Sequence, residues 1–183
     1  MTNNDLIALL KAGKVDEFNQ FRKENPDVQI DLPFRDLRGA DLDGADLEDA
    51  NLASSDLRGA NLDGANLRVT YLEDANLAGA NLSGANLDGV ILAGANLSGA
   101  NLSYTNLRAF CLKRANLAGA NLMCANFSNA ILHCEGADFR GADLRGVNLQ
   151  GTEMKDAILD GAIFDKQQIS MLPELLGIEV VED

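Results

Sequence analysis

The sequence predicts an all-β solenoid: a square-sectioned coil of short extended segments with α-helical caps at its two ends. Three observations carry this expectation. Leu recurs at every fifth position from Leu37 to Leu132 except at Phe127; after a two-residue insertion the series resumes at Phe139, Leu144, Leu149, Met154, Leu159 and Phe164, giving 26 pentads in all. With the large residue counted as i, position i−2 is Ala in 18 pentads, i−1 is Asn or Asp in 19, and i+2 is Gly in 14. Within the unbroken run, i−1 departs from Asn or Asp only at Tyr71, Ile91, Cys111 and Ile131, each twenty residues after the last.

A five-residue period excludes the two simple alternatives. In a helix, successive Leu residues would be turned by about 140° and would form no stripe, and so many Gly would weaken it. A continuous strand needs an even period. The pattern is satisfied if each pentad is a short extended piece followed by a corner. Residues i−2 and i then point inward and i−1 points outward. Residues i+1 and i+2 make the turn, where Gly tolerates positive φ. Asn or Asp at i−1 bonds nearby backbone.

Residues 1–30 are expected to form a helical hairpin cap. Asn4 is the expected cap of a first helix that carries Leu6, Ile7, Leu9 and Leu10 on one side and stops at Gly13. Val15, Phe18 and Phe21 mark a second amphipathic helix closed by Asn25 and Pro26. The hairpin covers the lower end of the stack, with Val28, Ile30 and Leu32 as the first strand. A partner-docking face is the alternative use of the same apolar residues.

Residues 31–165 are the repeat array. Its twenty-residue superperiod means four pentads per circuit, so 26 pentads give about 6.5 coils. At about 4.8 Å per coil the stack is about 31 Å long. The insertion is a two-residue bulge near 133–136, and the interrupted side continues at Thr152, Glu153 and Met154. Each buried Leu contributes about 1.5–3 kcal/mol before chain entropy is counted. One pentad is therefore unstable alone and the stack is cooperative. Leu and Ala fill the interior and leave no room for a ligand.

Residues 166–183 are the C-terminal cap. Ile158 and Ile163 replace the usual Asn or Asp at i−1, and something apolar should cover them. Residues 167–176 supply Ile169, Met171, Leu172, Leu175 and Leu176, interrupted by Pro173, as a short helix or two turns. Residues 178–181 finish as an extended segment. An apolar C-terminal dimer contact is the alternative.

Units such as Ala60-Asn61-Leu62-Asp63-Gly64 and Ala80-Asn81-Leu82-Ser83-Gly84 resemble the pentapeptide-repeat family over about residues 35–165. The resemblance implies a right-handed quadrilateral parallel β-helix; the handedness comes from it alone. Similar helical hairpins precede the arrays of some cyanobacterial members, which implies such a source. Some members resemble DNA in shape and charge and engage type II topoisomerases, and members of the gyrase-interacting type dimerise through an apolar C-terminal end.

The charge balance, 28 acidic against 15 basic residues, gives a net of −13. That argues against direct contact with nucleic acid or an anionic membrane surface. No apolar run approaches the length of a bilayer span, and residues 1–5 show no secretory leader. Three Cys are not a disulfide framework. A cytoplasmic protein is the expectation. The one histidine, His133, lies beside Cys134 in the insertion. A nucleophile needs a base, an orienting group and an oxyanion hole, and zinc needs about four ligands. Cys124 lies on the opposite side of the square and Cys111 about 10 Å from Cys134 along the strand, so the insertion reads as a surface bulge. There is no phosphate-binding loop, dinucleotide fingerprint or HExxH motif. No catalytic residue, metal or cofactor is expected.

Acidity is clustered at the two ends. Residues 31–74 and 135–183 each carry a net of −7, while 75–134 carry +2. A DNA mimic should be acidic along its whole length. Here the middle columns read Asn76, Asn96, Asn116 and Asn81, Asn101, Asn121, and projecting loops are absent from the pattern. Surface acids also keep a repetitive protein soluble. The candidate interaction surface is instead the outward apolar stripe Tyr71, Ile91, Cys111 and Ile131, with Tyr104, Met123 and Cys124 a smaller group on another side. β-Branched and aromatic residues also suit a flat ladder on packing grounds alone. The expected function is a non-catalytic scaffold or protein-interaction module, monomeric or weakly homodimeric, with an unidentified protein partner. An acidic topoisomerase-binding mimic is the alternative.

Overall fold

The computed structural model describes residues 1–107, 111–127, 136–149, 152, 154 and 156–172. Two helices come first, α1 (Asn3–Lys11) and α2 (Val15–Glu24), and a four-residue helix, α3 (Lys166–Ile169), follows the array. Between them the chain winds as a solenoid. Asp41 pairs in parallel with Asn61, Asn61 with Asn81, Asn81 with Asn101 and Asn101 with Asn121, each twenty residues on. Three more ladders begin at Asp31, Asp36 and Asp46. Each contact is an isolated bridge rather than a continuous strand, because only two or three residues are extended between corners. The spacing changes from 20 to 22 residues at Asn116–Asp138, Asn121–Asp143 and Asn126–Asn148, then returns to 20 at Asp138–Ile158. The expected two-residue insertion is thereby fixed between residues 126 and 138. The expected bulge at 133–135 lies outside the described residues.

One pentad accounts for all of its backbone donors, as buried polar groups require. Ala60 N–H closes the corner on Leu57 O at 3.0 Å, and Asn61 N–H reaches down to Ala40 O at 2.9 Å. Leu62 N–H and Gly64 N–H reach up to Asn81 O at 2.6 Å and Ser83 O at 2.9 Å. The remaining donor, Asp63 N–H, goes to the side-chain Oδ1 of Asn61 at 3.3 Å. This is why i−1 is Asn or Asp: a two-residue reach to backbone is what a short amide or carboxylate does. Among the described residues up to 161, position i+2 has positive φ, at Gly64 (59°) as at Val69 (58°) and Tyr104 (59°), which is the geometry of a type II corner.

Leu at i and Ala at i−2 are buried along the stack. At three hydroxyl residues in i−2 the oxygen is satisfied on a corner carbonyl: Ser55 Oγ donates to Leu32 O at 3.1 Å, Thr70 Oγ1 to Leu47 O at 2.8 Å and Thr105 Oγ1 to Leu102 O at 2.7 Å, whereas Thr152 Oγ1 is buried without a partner among the described residues. The array begins one pentad before Leu37. Ile30 and Leu32 occupy i−2 and i, fully buried, and Asp31 pairs with Asn51. Val28, expected in that strand, is 40% exposed, because it precedes the first inward position.

The hairpin covers the lower end with Leu6, Leu10, Phe18 and Phe21 buried in the core. Its first cap is Thr2 rather than Asn4. Thr2 and Asp5 form a reciprocal capping box, which Asn4, already inside the helix, cannot offer. Polar pins fix the hairpin to the first coil: Asn19 Nδ2 donates to Gly44 O at 3.0 Å, and its Oδ1 accepts from Asp46 N–H at 2.8 Å. At the other end α3 is capped by Asp165, and buried Gln168 Nε2 donates to Leu144 O at 2.6 Å and Val147 O at 2.9 Å. Met171 and Leu172 pack against the core, whereas Ile169 turns outward. Ile158 and Ile163 remain 42% and 47% exposed, so the described part of the cap does not cover them. Residues 173–183, expected to complete it, lie outside the described residues.

Candidate functional site

The structure brings Tyr71, Ile91 and Cys111 together. They stand one above another in the ladder Asn51–Tyr71–Ile91–Cys111. Tyr71 N–H bonds Ala50 O at 2.9 Å, Ile91 N–H bonds Thr70 O at 3.0 Å, and Leu92 N–H bonds Cys111 O at 3.0 Å. All three side chains are half-buried. Ile131, the fourth member, lies outside the described residues, as do His133 and Cys134. Cys111 and Cys124 are free thiols. Among the described residues no three His, Cys, Asp or Glu side chains converge to hold a metal ion, and no helix is long and apolar enough to cross a membrane.

The second apolar group sits on a corner. Tyr104 is 68% exposed, Met123 is half-buried and Cys124 is exposed. Tyr104 N–H bonds Met123 O at 3.0 Å, and Arg145 Nη2 lies 4.0 Å from Met123 Sδ.

The other sides carry amide ladders. Asn81 Nδ2 donates to Asn61 Oδ1 at 3.1 Å, Asn101 to Asn81 at 3.0 Å, and Asn121 to Asn101 at 3.1 Å. Every donation runs toward the N-terminal end. The column ends on Asp41, a pure acceptor, which Asn61 Nδ2 reaches at 2.9 Å.

Near the two ends, Asp at i−1 is paired with Arg at i+1 of the same pentad. Arg38 grips Asp36 through Nε and Nη2, each at 2.8 Å, and Arg58, Arg140 and Arg145 hold Asp56, Asp138 and Asp143 in the same way. Arg68 instead reaches down one coil to Glu48. Arg hydrogen bonds hold the carboxyls of Asp36, Asp56, Asp138 and Asp143 below the usual range. A minority of the terminal acids is thus neutralised where it stands, and the net of −7 at each end is what remains after this pairing. The signal was present in the sequence as Asp-Leu-Arg or Asp-Phe-Arg triplets, but reading it requires knowing that i−1 and i+1 share the outer surface.

Residues 36–68, 70–108, 100–133 and 133–165 match the family model for pentapeptide repeats, in eight copies. Among solved structures, a pentapeptide repeat protein (Rfr23) from the cyanobacterium Cyanothece 51142 is similar, 35% identical over 63% of this chain and 88% of that one, with a TM-score of 0.52. HetL of Nostoc sp. strain PCC 7120, a pentapeptide repeat protein involved in heterocyst differentiation regulation, is 31% identical over 76% of this chain and 89% of that one, with a TM-score of 0.26. QnrB1, a plasmid-mediated fluoroquinolone resistance protein, is 22% identical over 85% and 91% of the two chains, with a TM-score of 0.38. No curated protein matches the chain.

Proposed function

This chain belongs to the pentapeptide-repeat family, and from that premise we propose that it is a non-catalytic scaffold whose side walls bind another protein. We take the solenoid to be a right-handed square coil of about 6.5 circuits. Its interior is filled by buried Leu and Ala, so contacts are made from the walls and ends. The observation that carries the reading is the Tyr71–Ile91–Cys111 column. On a protein whose other outward columns are largely Asn and Asp ladders, this side alone, among the described residues, sets three half-buried apolar groups in a vertical line. Such a band is small beside a full interface and serves as the apolar centre of a larger contact with a polar rim.

Replacing Tyr71 and Ile91 by Asn tests it, because Asn is the residue the ladder accepts elsewhere. The expected result is an unchanged fold by circular dichroism and loss of a protein that the native chain captures by cross-linking in its own cell. The same captured set from both forms would contradict the reading. A topoisomerase-binding acidic mimic makes a separate prediction, inhibition or protection of gyrase supercoiling by micromolar protein. The amide ladder of Asn61, Asn81, Asn101 and Asn121 and the Arg-paired carboxylates at the ends both weigh against it.

A further inference from the structure

The stripe has a foot. Below Tyr71, residues Pro26 to Gln29 leave α2 and cross in front of the first coils. Arg22 holds them there: Nη1 donates to Val28 O at 3.1 Å and Nη2 to Glu48 O at 2.7 Å. Two depressions open on either side of Gln29. One, of about 540 Å³, is lined by Lys23, Asp27, Val28, Asp46 and Asp49 among others. The other, of about 390 Å³, is lined by Asn51, Ala53, Ser54, Tyr71, Glu73 and Asp74. Gln29 belongs to both walls, so the two adjoin across it and make a two-part groove between the hairpin and the lower end of the apolar stripe. Each part is of a size that takes a small ligand or a few residues of chain.

The groove is acidic, and several of its carboxylates, like those of Asp41, Asp43 and Asp63 on other walls, have no arginine partner among the described residues. Asp36, Asp56 and Glu48 have arginine partners. Asp27, Asp49, Glu73 and Asp74 form no ion pair among the described residues. One oxygen of Glu73, Oε2, is shielded from solvent with no hydrogen-bond donor in reach, a costly arrangement for a carboxylate. Arg22 forms no ion pair with these four acids: Nη1 and Nη2 each donate to a carbonyl, and its Nε lies 3.8 Å from Asp46. Apolar surface adjoins the charge: the Tyr71 ring, Ala53 and exposed Val28. Gln29, Asn51 and Ser54 offer amide and hydroxyl groups between them. Unpaired acids beside an apolar step, with amides along the wall, complement a main chain carrying a cation next to an apolar side chain. A bare metal ion is poorly served, since no three carboxylates converge among the described residues, and nucleic acid is repelled.

We propose that this groove receives an extended basic segment of a partner protein, with a Lys or Arg set against Glu73 and Asp74 and the neighbouring apolar side chain on Tyr71. The proposal rests on the reading of the chain as an interaction scaffold and adds the chemistry of the partner at the foot of the stripe.

The test is a titration of the full chain, followed by amide NMR, with the capped hexapeptide Gly-Leu-Lys-Leu-Arg-Gly and its acidic counterpart Gly-Leu-Glu-Leu-Asp-Gly. The basic peptide should produce saturable shifts confined to Gln29, Ala53, Ser54, Tyr71 and Glu73. The paired change Glu73→Gln and Asp74→Asn should weaken it by about tenfold, while Asp160→Asn leaves it unchanged. Asn is tolerated at position 74, where φ is 55°. Four outcomes overturn the proposal: no saturation by millimolar peptide, equal binding of the acidic peptide, shifts spread over all acidic surfaces, or the same shifts with calcium alone. If the peptide fails while the Tyr71 and Ile91 substitutions still lose the captured protein, the scaffold reading stands with its contact elsewhere. If the captured set is unchanged, that reading falls whatever the groove binds.

Discussion

Asn101 illustrates how much one outward side chain does. Its Oδ1 accepts from Ser103 N–H at 3.2 Å and from Asn121 Nδ2 at 3.1 Å, while its own Nδ2 donates to Asn81 Oδ1 at 3.0 Å. A carboxylate could keep both acceptor roles but not the donation, and it would face another oxygen. Asn101→Asp should therefore destabilise the protein by about 1–2 kcal/mol, read as a lowered midpoint in urea. Asp41→Asn, at the bottom of the same column, should stay within about 0.5 kcal/mol, since only an acceptor is used there. That Asn or Asp at i−1 serves the backbone was legible in the sequence. Which of the two is required was not, because the choice is made by residues twenty positions away. The Asp36–Arg38 type of pair stands within one pentad and was hidden for another reason, that i−1 and i+1 share the outer surface only once the coil is built. Gln29 and Glu73 line one depression although they are far apart in sequence.

The end elements depend on carboxylates that the middle of the stack lacks. Asp5 is held below its usual range by the Thr2 backbone N–H and hydroxyl in the α1 capping box. Asp165 is held there by the N–H groups of Gln168, Gly146 and Gln167. Glu48, which contacts the hairpin's Arg22 through its carbonyl, is lowered by Arg68 and then Asn66. Each titrates lower in the folded chain than in the unfolded one. Its stabilisation is present above the unfolded carboxylate value of about 4 and is lost as pH falls through the folded value. Residues 75–134 hold a single carboxylate, Asp88. Hydrogen exchange at pH 3 against pH 6, corrected for intrinsic rates, should show α1 and α3 loosening while the amides of Leu82, Leu97 and Leu102 stay protected. Uniform loosening along the chain would contradict this. The helices themselves were legible from Leu6, Leu10, Phe18 and Phe21. The cap at Thr2 was not, because Thr2 and Asn4 both precede apolar residues and only the reciprocal Asp5 bond decides. Ile30 hid the first pentad by standing where Ala is usual.

At the scale of the molecule, one geometric fact governs the rest: residues twenty apart lie in contact on one wall, and residues fifteen or twenty-five apart lie on different walls. The stripe, the amide ladders and the groove all follow from it. The two-residue insertion preserves it, shifting the interval once and leaving the walls continuous. This much was readable because Leu at i is nearly invariant along the array and the exceptions at Tyr71, Ile91 and Cys111 mark one wall. What was not readable is how far each wall column is exposed. Phe34 is 78% exposed on a corner of the first coil, while Ile91 is half-buried on a side between two rungs of its ladder. The most direct measurement uses Cys111 as a fixed probe. In Ile91→Cys the two thiols are twenty residues apart in adjacent rungs of one ladder, at a spacing of about 4.8 Å that suits a disulfide. In Asn96→Cys the thiol lies fifteen residues from Cys111 on the next wall. Mild oxidation followed by peptide mapping should give the 91–111 disulfide in the first variant and no 96–111 disulfide in the second. A 96–111 bridge, or no 91–111 bridge in a protein with native circular dichroism, would contradict the twenty-residue circuit on which the whole account rests.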